Sequence, residues 1–349
     1  RDHCVTGVQT CALPIWKKVL EEFNKTRSSQ KYLCYAPFTS MKISLDGRVS
    51  PCCYNRTLDD LYLSKSLSEI WEGEIFDNYR RHIKNNELPL ACISCENALL
   101  NGEYNSVKIH QYDGFKVSLV GKNRPRIIEL ALANSCNLEC IMCTGRNSSS
   151  IRKNREKLPA LASIFDDKFR MELQEFIPYL QEAVFAGGEP FLISLYYDIW
   201  DDIMRINPKC KMSIVTNGTV LNDKIKELIK KGNFKINLSL DSVSKEIYEK
   251  IRVNANFEET LNNIKFFGDA LKSKGERLHI PVCPLKLNRF EIPDIVRFCN
   301  SSGYSLNFVK VFGAVRHALW ALSSSELTEI KDFYEKQVFV VKNRNYQKD

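Results

Sequence analysis

The sequence predicts an α/β fold, in which six strand–helix units form an incomplete, open barrel of parallel strands behind a small cysteine-rich unit. Two observations predict this fold. Short apolar runs alternate with amphipathic helical patterns from Arg126 onward, and a hairpin pattern flanked by cysteines lies before them. Strands that alternate with helices favour a parallel sheet with right-handed crossovers, and six units fall short of the eight in a closed barrel.

The predicted strands and helices are defined by their hydrophobic periodicity. The helix at 222–232 has Asn222 as its N-cap and Gly232 as its end, and the helix at 257–271 carries one apolar stripe. The six strands are predicted at 126–134, 182–187, 211–217, 235–241, 278–283 and 306–312.

The fourth strand alternates apolar and polar residues. Ile236, Leu238 and Leu240 are predicted to face the covering helices, so that the alternate residues Asn237, Ser239 and Asp241 point into the barrel. Buried polar side chains need partners, which a bound polar cofactor would supply. The alternative is an internal hydrogen-bond network without a ligand.

Composition and charge narrow the class of protein. The chain has 349 residues, 44% of them hydrophobic, and a net charge of +8 that is spread over amphipathic helices. We interpret this charge as a solvated surface, with nucleic-acid or acidic-peptide binding as the alternative. No apolar run is long enough to span a bilayer, so a soluble protein with no membrane partner is predicted. Thirteen cysteines are many for an intracellular chain, but no secretion signal is visible, so the expected compartment is a reducing cytoplasm.

Residues 1–15 stand apart from the rest. RDHCVTGVQTCALPI reads like a translated sequencing adapter joined to an incomplete gene, so we exclude it from the fold as an artefact. The natural chain is expected to begin upstream of Trp16.

A cysteine-rich unit is predicted at 32–97. Residues 41–51 alternate apolar and polar on both sides of Asp46-Gly47, which indicates a hairpin. Cys34 precedes this hairpin and Cys52-Cys53 follow it, so the turn brings these thiols together. A Cys-x-x-Cys pair follows at Cys92 and Cys95. This clustering suits metal ligation better than disulfides.

A second cysteine cluster follows the first barrel strand. Cys136, Cys140 and Cys143 form a CxxxCxxC loop at the strand end where barrel enzymes place their chemistry. Three thiolates can hold three irons of a cubane and leave the fourth iron open to another ligand. The alternative is zinc, which prefers four protein ligands in a structural site.

The chain resembles the radical S-adenosylmethionine (SAM) superfamily in this loop and in three later motifs. The superfamily's GGE motif corresponds to Gly187-Gly188-Glu189-Pro190, and Asn217 ends the third strand in Thr-Asn-Gly. Ser239 and Asp241, with Arg252 downstream, resemble the SxD…R pattern of members related to peptide-modifying enzymes. The resemblance implies that 126–313 is the radical SAM core and that a C-terminal helical segment occupies 314–349.

The resemblance also implies the roles of these residues. Cys136, Cys140 and Cys143 would bind a [4Fe–4S] cluster, and the Gly187–Pro190 turn would hold the methionine part of SAM. Ser239 would contact the polar groups of SAM, and Arg252 would pair with its carboxylate. Asn217 and Asp241 complete the predicted cofactor pocket. No catalytic residue is predicted.

The N-terminal unit resembles the auxiliary-cluster half domain called twitch, which is a shortened relative of the SPASM domain. It resembles the members in which this half domain precedes the radical SAM core. By that resemblance Cys34, Cys52, Cys92 and Cys95 would hold one auxiliary cluster. Cys53 is the alternate for Cys52, and a four-cysteine structural zinc is the alternative for the site.

The resemblance implies an enzyme that cleaves SAM reductively and abstracts hydrogen from its substrate through a 5′-deoxyadenosyl radical. A reductant such as flavodoxin or ferredoxin is the expected partner, and no nucleic acid is expected. A peptide or protein ranks ahead of a sugar-like alcohol as the substrate. The alternative of a different class is a zinc-stapled binding module, which leaves the GGEP motif unexplained.

Overall fold

The structure is a computed structural model that describes residues 15–27, 30–53, 60–62, 64–115, 124–311 and 313–337. The predictions for residues 1–14 and 338–349 lie outside the described residues. The chain divides into two compact units, one formed by Arg1–Glu129 with Met171–Leu180 and the other by Leu130–Arg170 with Gln181–Asp349.

The first unit contains the predicted hairpin. Strands β1 (Ser40–Ser44) and β2 (Arg48–Ser50) pair antiparallel, with Lys42 opposite Ser50, and β2 pairs with β3 (Asp60–Leu61). Gly47 turns the chain with a φ of 78°, which lies in the region that favours glycine. The hairpin prediction is therefore confirmed.

Five α-helices are described between residues 15 and 100, before and after this hairpin in the sequence. The helix α3 begins at a capping box, in which Ser66 accepts from the Glu69 amide and the Glu69 side chain accepts from the Ser66 amide. The helices are α1 (residues 15–25), α2 (Ala36–Thr39), α3 (Leu67–Trp71), α4 (Glu74–Lys84) and α5 (Ile93–Leu100).

The second unit is built on the predicted parallel strands. Strand β4 leads into it and lies beside β5, followed in order by β6, β7, β8 and β9. The consecutive pairs from β5 to β9 are parallel. The bounds are β4 (Ile127–Ala131), β5 (Glu182–Phe185), β6 (Lys211–Thr216), β7 (Phe234–Leu238), β8 (His279–Val282) and β9 (Ser305–Phe308). All six predicted strands are present in the predicted order.

Helices separate these strands and end where the sequence predicts. Helix α9 is capped by Asn222, whose side chain accepts from the Ile225 amide, and ends at Gly232. The helices are α6 (Ser149–Asn154), α7 (Asp167–Gln174), α8 (Ser194–Ile206), α9 (Asp223–Lys231), α10 (Lys245–Ile251), α11 (Phe257–Lys272), α12 (Ile292–Ser302) and α13 (Ser324–Glu335). Among the described residues, none of the helices combines the length and apolarity that crossing a membrane requires.

The first barrel strand is shorter than the predicted 126–134, and the reason lies in Tyr196. The Leu132 amide donates to the Tyr196 hydroxyl at 3.0 Å, outside the strand ladder. The same hydroxyl lies 2.9 Å from the Leu130 carbonyl oxygen and 2.8 Å from that of Ala186. Because Tyr196 is fully buried on α8, it fixes the ends of β4 and β5 where the candidate site begins.

The apolar residues predicted to face the covering helices, in and just after β7, are buried. Ile236, Leu238 and Leu240 are fully buried. Asn237 pairs with His279 across to β8, and paired residues point to the same face of a sheet. Asn237 and His279 therefore point to the same face of the sheet.

Candidate active site

The CxxxCxxC loop follows β4 and is held by the first turn of α6. The hydroxyls of Ser149 and Ser150 donate to the Cys136 carbonyl oxygen at 3.1 and 2.8 Å. Ser148, the N-cap of α6, donates to the Leu138 carbonyl oxygen at 2.7 Å. A run of serines thus fixes the backbone between the first two cysteines.

The three thiols of the loop lie in a common electrostatic environment. Burial raises the pKa of Cys136 and Cys143 and raises the pKa of Cys140 to about 12. The pKa of Cys140 is raised further by the neighbouring Cys143 and Cys136 and is lowered by Arg252. The raised pKa values mean that binding a metal requires these neighbouring thiols to lose protons.

The Gly187-Gly188 turn packs against the residues that precede Cys136. Gly187 has a φ of 112°, and the Gly188 amide donates to the Ala133 carbonyl oxygen at 3.0 Å. A Cβ on Gly188 would lie 2.2 Å from the Ser135 carbonyl oxygen. This close approach to backbone explains the need for glycine and fixes the turn beside the cysteine loop.

Glu189 ties the end of β5 to the end of β6. Its carboxylate accepts from the Asn217 amide at 2.7 Å, from the Thr216 hydroxyl at 2.8 Å and from the Phe191 amide at 3.2 Å. The residue is fully buried, and burial raises its pKa to about 7 despite these hydrogen bonds. Pro190 is also buried, at the start of a short 3-10 helix.

Asn217 connects β6 to the cysteine loop. Its side-chain amide donates to Asn137 Oδ1 at 3.0 Å and lies 3.9 Å from Cys136 Sγ. Asn137 in turn donates to the Thr219 hydroxyl at 2.8 Å. This predicted site residue is therefore adjacent to the predicted cluster ligand Cys136.

Arg252 and Asp241 form a buried ion pair near the same loop. Arg252 Nη2 lies 2.6 Å from Asp241 Oδ2, and the other Asp241 oxygen accepts from the Cys283 amide at 2.7 Å. Burial acts to lower the pKa of Arg252, but the charges of Asp241 and Cys140 raise it overall, so the guanidinium stays charged. Arg252 Nε is buried without a hydrogen-bond partner.

The polar residues in and just after β7 differ in their partners. Asn237 donates to the Ile214 carbonyl oxygen at 3.3 Å, and the Ser239 amide donates to the Thr216 carbonyl oxygen at 3.0 Å. The Ser239 side chain is half-buried. Asn237 and Asp241 therefore have partners within the protein and do not need a ligand to supply them.

Asn288 has a larger role in this region than its position in the sequence indicates. It is fully buried, accepts from the Leu285 amide at 2.7 Å, and donates to the carbonyl oxygens of Asp241 and Cys283 at 2.7 and 3.0 Å. It thereby joins the segments that follow β7 and β8. Its only sequence signal is an asparagine just after a predicted strand.

The first unit brings the four predicted auxiliary ligands together. They line one small cavity with Lys108 and Tyr112, and Cys53 is not among its lining residues. Burial raises the pKa of Cys34 and Cys92, and the other thiols of the cavity raise it further. Burial raises the pKa of Cys95 to about 11, and the thiol that raises it further is Cys53. The four cysteines of this cavity are Cys34, Cys52, Cys92 and Cys95.

Both cysteine groups fit iron–sulfur clusters in their chemistry. Thiolate sulfurs are the usual protein ligands of such clusters. Among the described residues, no group of three or more His, Cys, Asp or Glu side chains is arranged around a single metal ion. The unpartnered Arg252 Nε also suits an anionic ligand group in the second unit.

Comparison with known families agrees with these two sites. Residues 130–299 match the Radical SAM superfamily, and residues 34–96 match the iron–sulfur cluster-binding domain SPASM. The fold and its cysteine sites thus define an α/β iron–sulfur protein. The chain is a radical SAM protein with a SPASM-like domain, which implies SAM and a [4Fe–4S] cluster as cofactors and an auxiliary iron–sulfur cluster.

Curated relatives match about half of this chain. A probable GTP 3′,8-cyclase of Methanocaldococcus jannaschii is 26% identical over 187 residues, which cover 53% of this chain and 58% of the relative. A GTP 3′,8-cyclase of Clostridium perfringens is 24% identical over 186 residues, with 53% and 54% covered. The chain spans about half the length of these relatives.

Two solved structures were also found to be similar. One is titled native anSMEcpe with bound AdoMet, at 18% identity and a TM-score of 0.42 over 53% of this chain and 52% of the other. The other is Streptococcus suis SuiB bound to precursor peptide SuiA, at 14% identity and a TM-score of 0.45 over 70% and 58%.

Proposed function

We propose that the chain is an enzyme that uses a [4Fe–4S] cluster on Cys136, Cys140 and Cys143 to cleave SAM and abstract hydrogen from a substrate. The observation that carries the proposal is the arrangement of this loop, with the Gly187–Glu189 turn on one side and the Arg252–Asp241 pair near Cys140. When bound, the cluster and SAM supply the reductive cleavage that yields methionine and a 5′-deoxyadenosyl radical.

The residues of the chain hold and orient these groups. Asn217 places its amide 3.9 Å from Cys136 Sγ and so donates towards a cluster ligand. The charged Arg252 has a buried Nε–H free to donate to the carboxylate of SAM. Glu189 is occupied by three protein donors, so its role is to fix the turn, and the turn's backbone is left to contact SAM.

The auxiliary site is proposed to hold a second [4Fe–4S] cluster on Cys34, Cys52, Cys92 and Cys95. Four thiolates bind all four irons of a cubane, which leaves no iron open for a substrate. Such a cluster can accept an electron from a substrate radical or serve as a structural staple. Both roles agree with its position in a small cavity.

The substrate class proposed first is a peptide or protein, because Ser239, Asp241 and Arg252 follow the pattern of peptide-modifying members. A nucleotide is the second candidate, because the relatives that match this chain are named GTP 3′,8-cyclases. A sugar-like alcohol is the third. A reductant of the flavodoxin or ferredoxin type would supply the electron. The candidates are ranked by measuring 5′-deoxyadenosine formation with GTP and with peptide mixtures. The substrate class that raises it above the substrate-free level is favoured.

The central proposal is tested by iron content and SAM cleavage after anaerobic reconstitution. We expect about eight irons per chain in the unmodified protein and about four in Cys136→Ala/Cys140→Ala/Cys143→Ala, with 5′-deoxyadenosine formation abolished. Zinc instead of iron, with no SAM cleavage by the reduced protein, would overturn the proposal. About four irons with zinc in the first unit would reject only the auxiliary cluster.

A further inference from the structure

Glu139 is a buried acid in the middle of the cysteine loop, between Cys136 and Cys140. Only 8% of its surface is exposed. Its Oε1 accepts from Asn154 Nδ2 at 2.7 Å and from Asn254 Nδ2 at 3.1 Å. One carboxylate oxygen therefore joins the end of α6 and the segment after α10 to the loop.

The backbone around Glu139 is joined to the same segment. The Glu139 amide donates to the Val253 carbonyl oxygen and the Ile141 amide to that of Ile251, both at 3.0 Å. The two acceptors lie on either side of Arg252 in the sequence, and the two donors lie on either side of Cys140. The position of the cysteine loop and that of Arg252 are therefore fixed together.

The Asn254 partner is itself held in an uncommon conformation. Its φ is 74°, a left-handed value that non-glycine residues adopt at a cost unless surrounding contacts hold them. The hydrogen bond from its side chain to Glu139 is such a contact. Loss of the Glu139 carboxylate would leave two amide groups without this acceptor and remove that contact.

We propose that Glu139 is a positioning residue for the cluster on Cys136, Cys140 and Cys143, which it holds in register with Arg252. The inference rests on the function proposed above. Glu139 acts as a hydrogen-bond acceptor for Asn154 and Asn254, so a neutral side chain of the same shape with an acceptor oxygen should perform the same role. Its role is local to this loop and does not extend to the auxiliary site of the first unit.

The test compares Glu139→Ala with Glu139→Gln, because glutamine keeps an oxygen that can accept from both asparagines. After reconstitution, iron release to a chelator is measured for the full chain, and the electron paramagnetic resonance (EPR) signal of the reduced cluster is recorded with and without SAM. Substitution of a residue that orients the ligands of a metal site costs about 10- to 100-fold in metal affinity. We therefore expect release of about four irons to be roughly tenfold faster in Glu139→Ala, with the SAM-dependent EPR change lost.

Controls separate positioning from a general loss of stability. Glu139→Gln is expected to retain iron and the SAM-dependent signal, and Glu246→Ala, which removes an exposed acid on α10, is expected to match the unmodified protein. The auxiliary irons should be released at the same rate in all variants. Equal iron release and EPR signals in Glu139→Ala and the unmodified protein would overturn the inference, as would equal losses in the alanine and glutamine variants. If the unmodified protein shows no cluster that responds to SAM, the proposed function itself fails.

Discussion

Replacement of Gly188 by alanine tests whether the glycine turn positions the cysteine loop. A Cβ at this position would lie 2.2 Å from the Ser135 carbonyl oxygen and 2.6 Å from the carbonyl carbons of Asn134 and Ser135. Non-bonded atoms prefer about 3.5 Å, so the backbone before Cys136 must move by roughly 1 Å. The atoms in contact are backbone and cannot rotate away as a side chain could.

The cost of such overpacking is about 1–3 kcal/mol. For a unit of this size, each kcal/mol lowers Tm by about 2–4 °C, so Gly188→Ala should lower the Tm of the metal-free protein by roughly 2–12 °C. Because Ser135 precedes the first ligand, the same shift should reduce the iron held by the loop after reconstitution. The measurements are thermal unfolding by circular dichroism and iron per chain.

Gly313→Ala is the matched control, because a Cβ there has no neighbour within 4 Å and Gly313 is exposed. It should leave both the Tm and the iron content unchanged. The reasoning is refuted if Gly188→Ala unfolds within about 1 °C of the unmodified protein and binds the same amount of iron.

Three further predictions concern the thiols and the buried acid. Cys52→Ser should lose about four irons per chain, whereas Cys53→Ser should keep them because Cys53 does not line the auxiliary cavity; equal losses would reject this assignment. Burial raises the pKa of Cys140 to about 12, so iron binding displaces protons from the thiols. As the pH is lowered from about 8, iron retention against a chelator should therefore fall by up to about tenfold per thiol for each pH unit. Retention that does not vary with pH would contradict this. Burial raises the pKa of Glu189 from 4.5 to about 7, so the folded protein holds this proton more tightly, and the stability of the metal-free protein should fall by about 3 kcal/mol as pH rises through that range. Urea unfolding at several pH values should show this slope in the unmodified protein and not in Glu189→Gln, and an unchanged slope in the variant would refute it.

The strand order and the cysteine loop could be predicted from the sequence because their signals are local. Asn222 and Gly232 bound α9 as predicted, and the alternation in β7 predicts which residues are buried. The boundary of β4 could not be predicted, because it depends on Tyr196, a residue far along the chain.

The contacts that organise the candidate site are long-range, and this is why the sequence did not reveal them. Arg252 is predicted to pair with the carboxylate of SAM, but the structure also gives it Asp241 as an internal partner. The contacts of Glu139 with Asn154 and Asn254 span 15 and 115 residues of sequence. Asp241 and Arg252 belong to a pattern that the sequence shows, but the pattern does not reveal that they pair with each other. The contacts of Glu139 have no motif, because they depend on how separate segments pack. The roles of the predicted site residues stay predictions until the variants are measured.

The four thiols of the auxiliary cavity come from three separate stretches of the first unit, before the hairpin, after it, and at the start of α5. A cluster that joins Cys34 to Cys92 would close a loop of nearly sixty residues. By analogy with a disulfide, such a cross-link restricts the unfolded chain and thereby raises the free energy of unfolding by about 4 kcal/mol. This is a large share of the stability of a small unit. The folding of this unit would then depend on iron supply. A chain made during iron starvation would be open to proteases before it could catalyse a reaction.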